Sequence, residues 1–153
     1  MTEIADLEAG IYDPKTFNPK TAIGGLISRV RAKLMDALDA ELERFDITSA
    51  QYVILVNLAT GVDSASGLCK GVSYDPGAMT RMIDRLERKG LVRRIRSPHD
   101  RRVVKLALTE EGKAVYPKLV ATATAVINRK LRGFTQADAR QLEGLLQRIL
   151  QSD

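Results

Sequence analysis

Cysteine and histidine each occur once in the 153 residues, as Cys69 and His99, and tryptophan is absent. A lone cysteine closes no intrachain disulfide, and one Cys with one His supplies too few ligands for a zinc site, so neither a metal nor a cofactor is expected. Catalysis built on these two side chains would need them to meet from separate elements, and the chain reads as no enzyme. Aromatic residues make up only 5%. Of these only Tyr74 lies near the basic residues, which argues against stacking on single strands or RNA bases. No run of about 18 apolar residues is present, so no membrane-spanning helix is expected. The opening MTEIADLEAGIYD is acidic where a secretory leader needs positive charge before an apolar stretch, and the expected location is the cytoplasm. What the chain does have is 44% hydrophobic residues, enough for a core and against disorder.

Its charge is unevenly placed. The formal net charge is +5, yet between Arg81 and Lys105 ten Lys and Arg residues face only Asp84, Glu87 and Asp100. The remainder of the chain is therefore slightly acidic. A cationic surplus concentrated in one window is the footprint of a polyanion binder, although a charge run is also what a solvated face looks like.

Hydrophobic spacing and capping residues divide the chain. Residues 1–19 lack periodicity and contain Gly10, Pro14 and Pro19, which predicts an N-terminal extension. From Ile23 through Leu42 apolar residues recur at steps of three and four, predicting one long helix over 20–45. Thr48 or Ser49 can cap a second helix ending at Gly61, in which Tyr52, Val53, Leu55, Val56 and Leu58 are largely buried, and Ser64 can cap a short third. The fourth is the best marked: Asp75 caps, Pro76 suits the first helical position, and Gly90 follows the cations Arg88 and Lys89 at the end. Leu91–Arg96 and Val103–Leu108 read as a β-hairpin turning through Ser97–Asp100. Thr109 caps a fifth helix kinked at Pro117, and Thr135 with Asp138 caps a sixth after Gly133.

This order predicts a mainly α (α+β) fold, a winged helix-turn-helix with a two-stranded wing at 46–108. Residues 20–45 and 109–153 then form a helical dimerisation region whose apolar stripes pack together.

In the fourth helix Met79, Met82, Ile83 and Leu86 share one face, leaving a basic face outside. Gly77 and Ala78 allow close approach of a partner to amides that favour a phosphate. Arg81, one turn further in, is placed to pair with guanine N7 and O6 in a major groove, or else to meet a phosphate or solvent. Asp75 has a second possible role, holding a wing arginine. By strand alternation Arg102 shares the face of Val104, Leu106 and Leu108, which makes it the candidate for that pair and Arg101 the candidate for a minor groove, unless a turn at the tip reverses the parity. Cys69 reads as a small apolar residue packed in the helix-turn-helix, or as a redox site if Lys70 lowers its pKa in contact with water. His99 reads as a solvated tip residue.

The stretch SYDPGAMTRMIDRLERKGLVRRIRSPHDRRVVKLALTEEGKAV resembles the MarR family of bacterial transcriptional regulators. The family pattern DRLE-x-KGLV is matched by Asp84–Val92, the DRR wing by Asp100–Arg102, and LTEEG by Leu108–Gly112. The resemblance implies a homodimer on a pseudo-palindromic double-stranded operator, usually a repressor, nucleoid-associated, and released by a small phenolic or aromatic anion or by cysteine oxidation. It also implies a ligand pocket between the dimer helices and the DNA-binding lobe. It places Thr80, Arg81 and Arg85 on DNA-contacting or supporting positions of the recognition helix, and Asp100, Arg101 and Arg102 on the wing. Oxidant-sensing relatives often carry their cysteine near the N-terminus or in the recognition helix, and Cys69 is in neither. The competing reading is a helical ligand-binding or protein-interaction dimer that does not read DNA.

Overall fold

The computed structural model describes residues 10–71, 74–100 and 102–152. Six α-helices and one hairpin follow in the order α1 (Ile23–Leu42), α2 (Ser49–Ala59), α3 (Ala65–Gly71), α4 (Pro76–Arg88), β1 (Val92–Arg96), β2 (Val104–Leu108), α5 (Glu110–Lys130) and α6 (Gln136–Gln151). The strands pair antiparallel from Val92 opposite Leu108 to Arg96 opposite Val104. This is the winged helix-turn-helix that the sequence predicts. The chain forms two compact units, 1–33 and 34–153, divided within α1.

In the first unit, residues 10–22 are built from short local bonds, and residues 1–9 of the expected extension lie outside the described residues. The Tyr12 and Phe17 rings meet edge to face at 5.2 Å, and the Tyr12 hydroxyl accepts from the Ile23 amide at 3.0 Å, satisfying a donor the first helical turn leaves open. Asn18 accepts the Lys20 amide on its side chain and the Ala22 amide on its carbonyl. These turns delay the helix to Ile23, three residues beyond the expected start. Gly25 lies against the Pro19 carbonyl, where an added Cβ would come to 2.0 Å. Ile23, Leu26, Ile27 and Val30 remain exposed.

In the second unit, Leu38 and Leu42 of α1 join one core with Leu55 of α2, Met79, Ile83 and Leu86 of α4, and Leu119, Ala123 and Val126 of α5. The first helix stops at Leu42, not Phe45. Asp46 takes a left-handed backbone with φ 55° and returns its amide to the Glu43 carbonyl, so Glu43–Phe45 tightens into a 3-10 turn. Thr48 then caps α2, its hydroxyl accepting the Gln51 amide while the Gln51 side chain accepts the Thr48 amide. Ile54, Leu55 and Leu58 take the core, which leaves Tyr52, Val53 and Val56 only half-buried. Ser64 opens α3 by accepting the Gly67 amide.

Helix α5 runs without a break through Pro117. It is tied to the end of α1 by Arg129 with Glu41 at 2.6 Å and by Arg44 donating to Thr122 at 2.8 Å. Gly133, at φ 95°, separates it from α6, which opens on the reciprocal Thr135–Asp138 cap. Helix α6 buries no side chain: Leu142, Leu145, Leu146, Ile149 and Leu150 are all exposed.

One close approach fixes the wing's root. The Thr109 hydroxyl caps α5 on the Gly112 amide and donates to the Gly90 carbonyl, while the Thr109 amide bonds the Leu91 carbonyl. An added Cβ on Gly112 would lie 2.2 Å from that Leu91 carbonyl oxygen, and backbone has nowhere to go. Gly112→Ala should therefore destabilise the chain by roughly 1–3 kcal/mol, whereas Gly144→Ala, with open space around it in α6, should be neutral or stabilising by up to about 1 kcal/mol. Urea unfolding midpoints of the two variants check this, and equal effects would contradict it.

Candidate nucleic-acid interface

Helix α4 begins where the Asp75 carboxylate accepts the Ala78 amide at 2.9 Å, with Pro76 following as the first helical residue. That bond, with further help from the Gly77 amide and the Arg81 charge, holds the Asp75 carboxyl below its ordinary value. It is ionised at neutral pH, and its capping contribution is lost only as pH falls through that lowered value. Met79, Ile83 and Leu86 bury one face. Gly77, Thr80, Arg81, Arg85 and Arg88 are exposed on the other, with Ala78 half-buried between. The Thr80 hydroxyl donates to the Pro76 carbonyl, which leaves its lone pairs free to accept.

The two acids of the helix are dealt with from the wing. Arg94, in β1, reaches back to α4 and bonds Asp84 at 2.6 Å and Glu87 with its other terminal nitrogen. Asp84 and Glu87 are three residues apart and so lie on one helix face, where a forked guanidinium can hold both. Among the described residues, Arg81, Arg85 and Arg88 enter no salt bridge. The outer face of α4 thus presents three uncommitted guanidiniums.

The expected pair between Asp75 and Arg102 is not formed. Arg102 precedes β2 in the turn, so strand alternation does not reach it; it is exposed, and its amide donates to Asp100 at 2.9 Å. Asp75 faces the amides of its own helix instead. Strand β2 starts at Val104 and the turn is longer than expected: the Ser97 hydroxyl accepts the His99 and Asp100 amides, and the Asp100 carbonyl accepts the Val103 amide. Asp100 therefore shapes the tip through both its carboxylate and its carbonyl. Arg101 lies outside the described residues. His99 is exposed at the tip.

Two further side chains set the interface without being singled out by sequence. Lys89, just past α4, bonds the Asp46 carboxylate at 3.0 Å and the Gln51 side chain at 3.5 Å, tying the end of α4 to the start of α2. Asp63 accepts the Leu106 amide on its carbonyl at 2.8 Å and pairs with Lys105 at 2.9 Å, which fixes β2 from its far side. The signals were present: two acids at a spacing of three followed by a strand arginine, and an acid in the loop before α3. Only the pairing of distant segments turns them into contacts.

Cys69 is half-buried in α3 and packs against the core. At the junction of α2 and α5, Tyr52 and Tyr116 are both half-buried against the core, and burial, with the neighbouring Tyr116 phenol, raises the Tyr52 phenol above its ordinary pKa.

Residues 47–104 match the profile of the MarR family. The multiple antibiotic resistance protein MarR of Salmonella typhimurium is 34% identical over 136 residues, covering 88% of this chain and 94% of the relative. Among solved structures, a cysteine-to-serine mutant of Escherichia coli MarR complexed with operator DNA is 33% identical with a TM-score of 0.76, covering 88% of this chain and 98% of that one. CouR from Rhodococcus jostii, bound to p-coumaroyl-CoA, is 28% identical with a TM-score of 0.76, covering 89% and 96%. Identity at this level along nearly the full length of both chains, on a capped basic helix backed by a wing, means that this chain belongs to the MarR family and is a DNA-binding regulator of transcription, not an enzyme.

Proposed function

We propose that the chain is a repressor that binds a pseudo-palindromic operator as a homodimer and is released by a small phenolic or aromatic anion. The observation that carries the reading is the pairing of both α4 acids by Arg94, which leaves Arg81, Arg85 and Arg88 uncommitted on the outer face. On this reading Gly77, Ala78 and Thr80 border the backbone approach, Arg81 reads a guanine edge in the major groove, Arg85 supports it on phosphate, and Arg101 and Arg102 carry the wing along the neighbouring groove. Asp75 and Asp100 are the structural supports of helix and tip. The operator complex of E. coli MarR supports the duplex as partner.

Dimerisation follows from the apolar stripe on α6, which no part of its own chain covers among the described residues, and from the exposed apolar residues at the start of α1. Each protomer brings one recognition helix, so a two-fold dimer reads two half-sites about one helical turn apart. A regulator that covers its operator blocks transcription by occupancy, in the cytoplasm on the nucleoid. For the effector, the Tyr52 and Tyr116 phenols and the phenolic acyl group on CouR's ligand both favour an aromatic anion over oxidation of the half-buried Cys69.

Selection of bound duplexes from a random pool tests the DNA reading. A symmetric site with half-site centres roughly 10 base pairs apart is expected. Arg81→Ala should cost about 1–3 kcal/mol on that site and relax one position per half-site, whereas Arg101→Ala should weaken many sequences alike. A selected site without symmetry, or an Arg81→Ala loss equal on selected and random duplexes, contradicts the assignment.

Release is tested by operator binding with small phenolic acids and with peroxide, for wild type and Cys69→Ser. Both proteins should be released by the same phenolic acid and neither by peroxide. Release of the wild type by peroxide, with Cys69→Ser spared, would make Cys69 the sensor and reverse the choice of effector.

A further inference from the structure

Side chains on an α-helix lean toward its N-terminus, so a residue covers the position four before it. Arg81 therefore passes over Gly77. A methyl carbon added to Gly77 would lie 3.6 Å from Nη1 of Arg81 and 3.1 Å from Oδ1 of Asp75. The guanidinium thus folds back along the helix, over bare backbone, to the end where the capping carboxylate sits. Asp75 is held at that end by the Ala78 amide, so its charge stays close to the arginine.

We propose that Gly77 is a specificity-determining position: its lack of a side chain is the berth that holds the Arg81 guanidinium at the N-terminal end of α4, with Asp75 orienting it. The inference rests on the DNA reading above and deepens it. An exposed arginine with a free stem samples many rotamers, and ordering it on binding opposes affinity. Lying in a groove of its own helix beside a fixed carboxylate, Arg81 meets the base edge partly ordered, with its planar fork already at the helix end that enters a major groove. A methyl group fits this berth, because 3.6 Å is ordinary contact and the exposed Asp75 carboxylate can yield a few tenths of an ångström. A branched side chain fills it and turns the guanidinium away.

This differs from the simpler role of a glycine that lets DNA backbone come close. If close approach were the reason, any Cβ would obstruct every duplex. If the berth is the reason, size decides, and the preference between sequences falls beyond any uniform loss.

The experiment compares Gly77→Ala, Gly77→Leu, Arg81→Ala and the double variant Gly77→Leu/Arg81→Ala on three duplexes. These are the selected operator, the operator with the Arg81-dependent base pair exchanged, and a random sequence. Gly77→Ala should keep the wild-type preference. Gly77→Leu should lose about tenfold or more of the preference for operator over exchanged duplex, the scale of one bidentate base contact, beyond any loss it shows on random duplex. In the Arg81→Ala background Gly77→Leu should lower that preference no further. The guanidinium NMR signals of Arg81 in the free protein give a second readout, expected to move in Gly77→Leu and to stay in Gly77→Ala. Uniform weakening of all three duplexes by Gly77→Ala, or an intact preference in Gly77→Leu, overturns the berth. If the wild type selects no duplex at all, the DNA reading falls and the specificity role with it; unmoved Arg81 signals in Gly77→Leu overturn the berth alone.

Discussion

The interface depends on one guanidinium. Arg94 stands on the first strand of the wing and holds the Asp84 and Glu87 carboxylates of α4, and that contact does two things at once. It ties the wing's first strand to α4, and its single positive charge offsets one of the two negative charges on a helix that otherwise presents Arg81, Arg85 and Arg88. As an exposed pair in water, such a contact adds about 0.2–1 kcal/mol to stability. Its weight lies in electrostatics toward a third party: without it, two carboxylates would stand uncompensated beside those cations.

Around this contact the second unit is a set of short couplings between outer helices and α4. Lys89 links the end of α4 to the Asp46 turn and Gln51, and so to the end of α1 and the start of α2. Gly112 lets the start of α5 touch the backbone at Leu91, one residue before the wing. Arg44 and Glu41 join the end of α1 to α5. Lys89 and Leu91 flank the junction of α4 with the wing, so these couplings converge on the wing's root.

Much of this was legible in the sequence because it is local. Asp75 followed by Pro76, Thr109 three residues before Gly112, and Thr135 three before Asp138 declare helix starts through bonds spanning three residues, and each is seen. Heptad-like spacing similarly located the buried faces of α4 and α5. What was not legible depends on segments distant in sequence or on turns of unknown length. The wing turn runs on to Val103, so alternation extrapolated from β2 misassigned Arg102 as the partner of Asp75. The contact that joins wing and helix comes from Arg94, ten residues from Asp84, and the antiparallel pairing of β1 with β2 is what fixes that strand. Periodicity carried α1 to Phe45, whereas a single left-handed residue, Asp46, ends it three residues sooner. Function was legible chiefly through the ordered match of DRLE, KGLV, DRR and LTEEG to one family.

The central claim, that Arg94 makes the outer face of α4 cationic for DNA, is tested most directly by removing the arginine and then the charges it holds. Arg94→Ala should weaken binding to the selected duplex by about fivefold or more, and more at low salt than at high salt, as expected of a screened charge effect. The triple variant Arg94→Ala/Asp84→Asn/Glu87→Gln should return to wild-type affinity or better, since Val92, Leu106 and Leu108 in the core still hold the wing. A triple variant that binds as poorly as Arg94→Ala alone would show that the contact matters for geometry and not for charge, and would contradict the account.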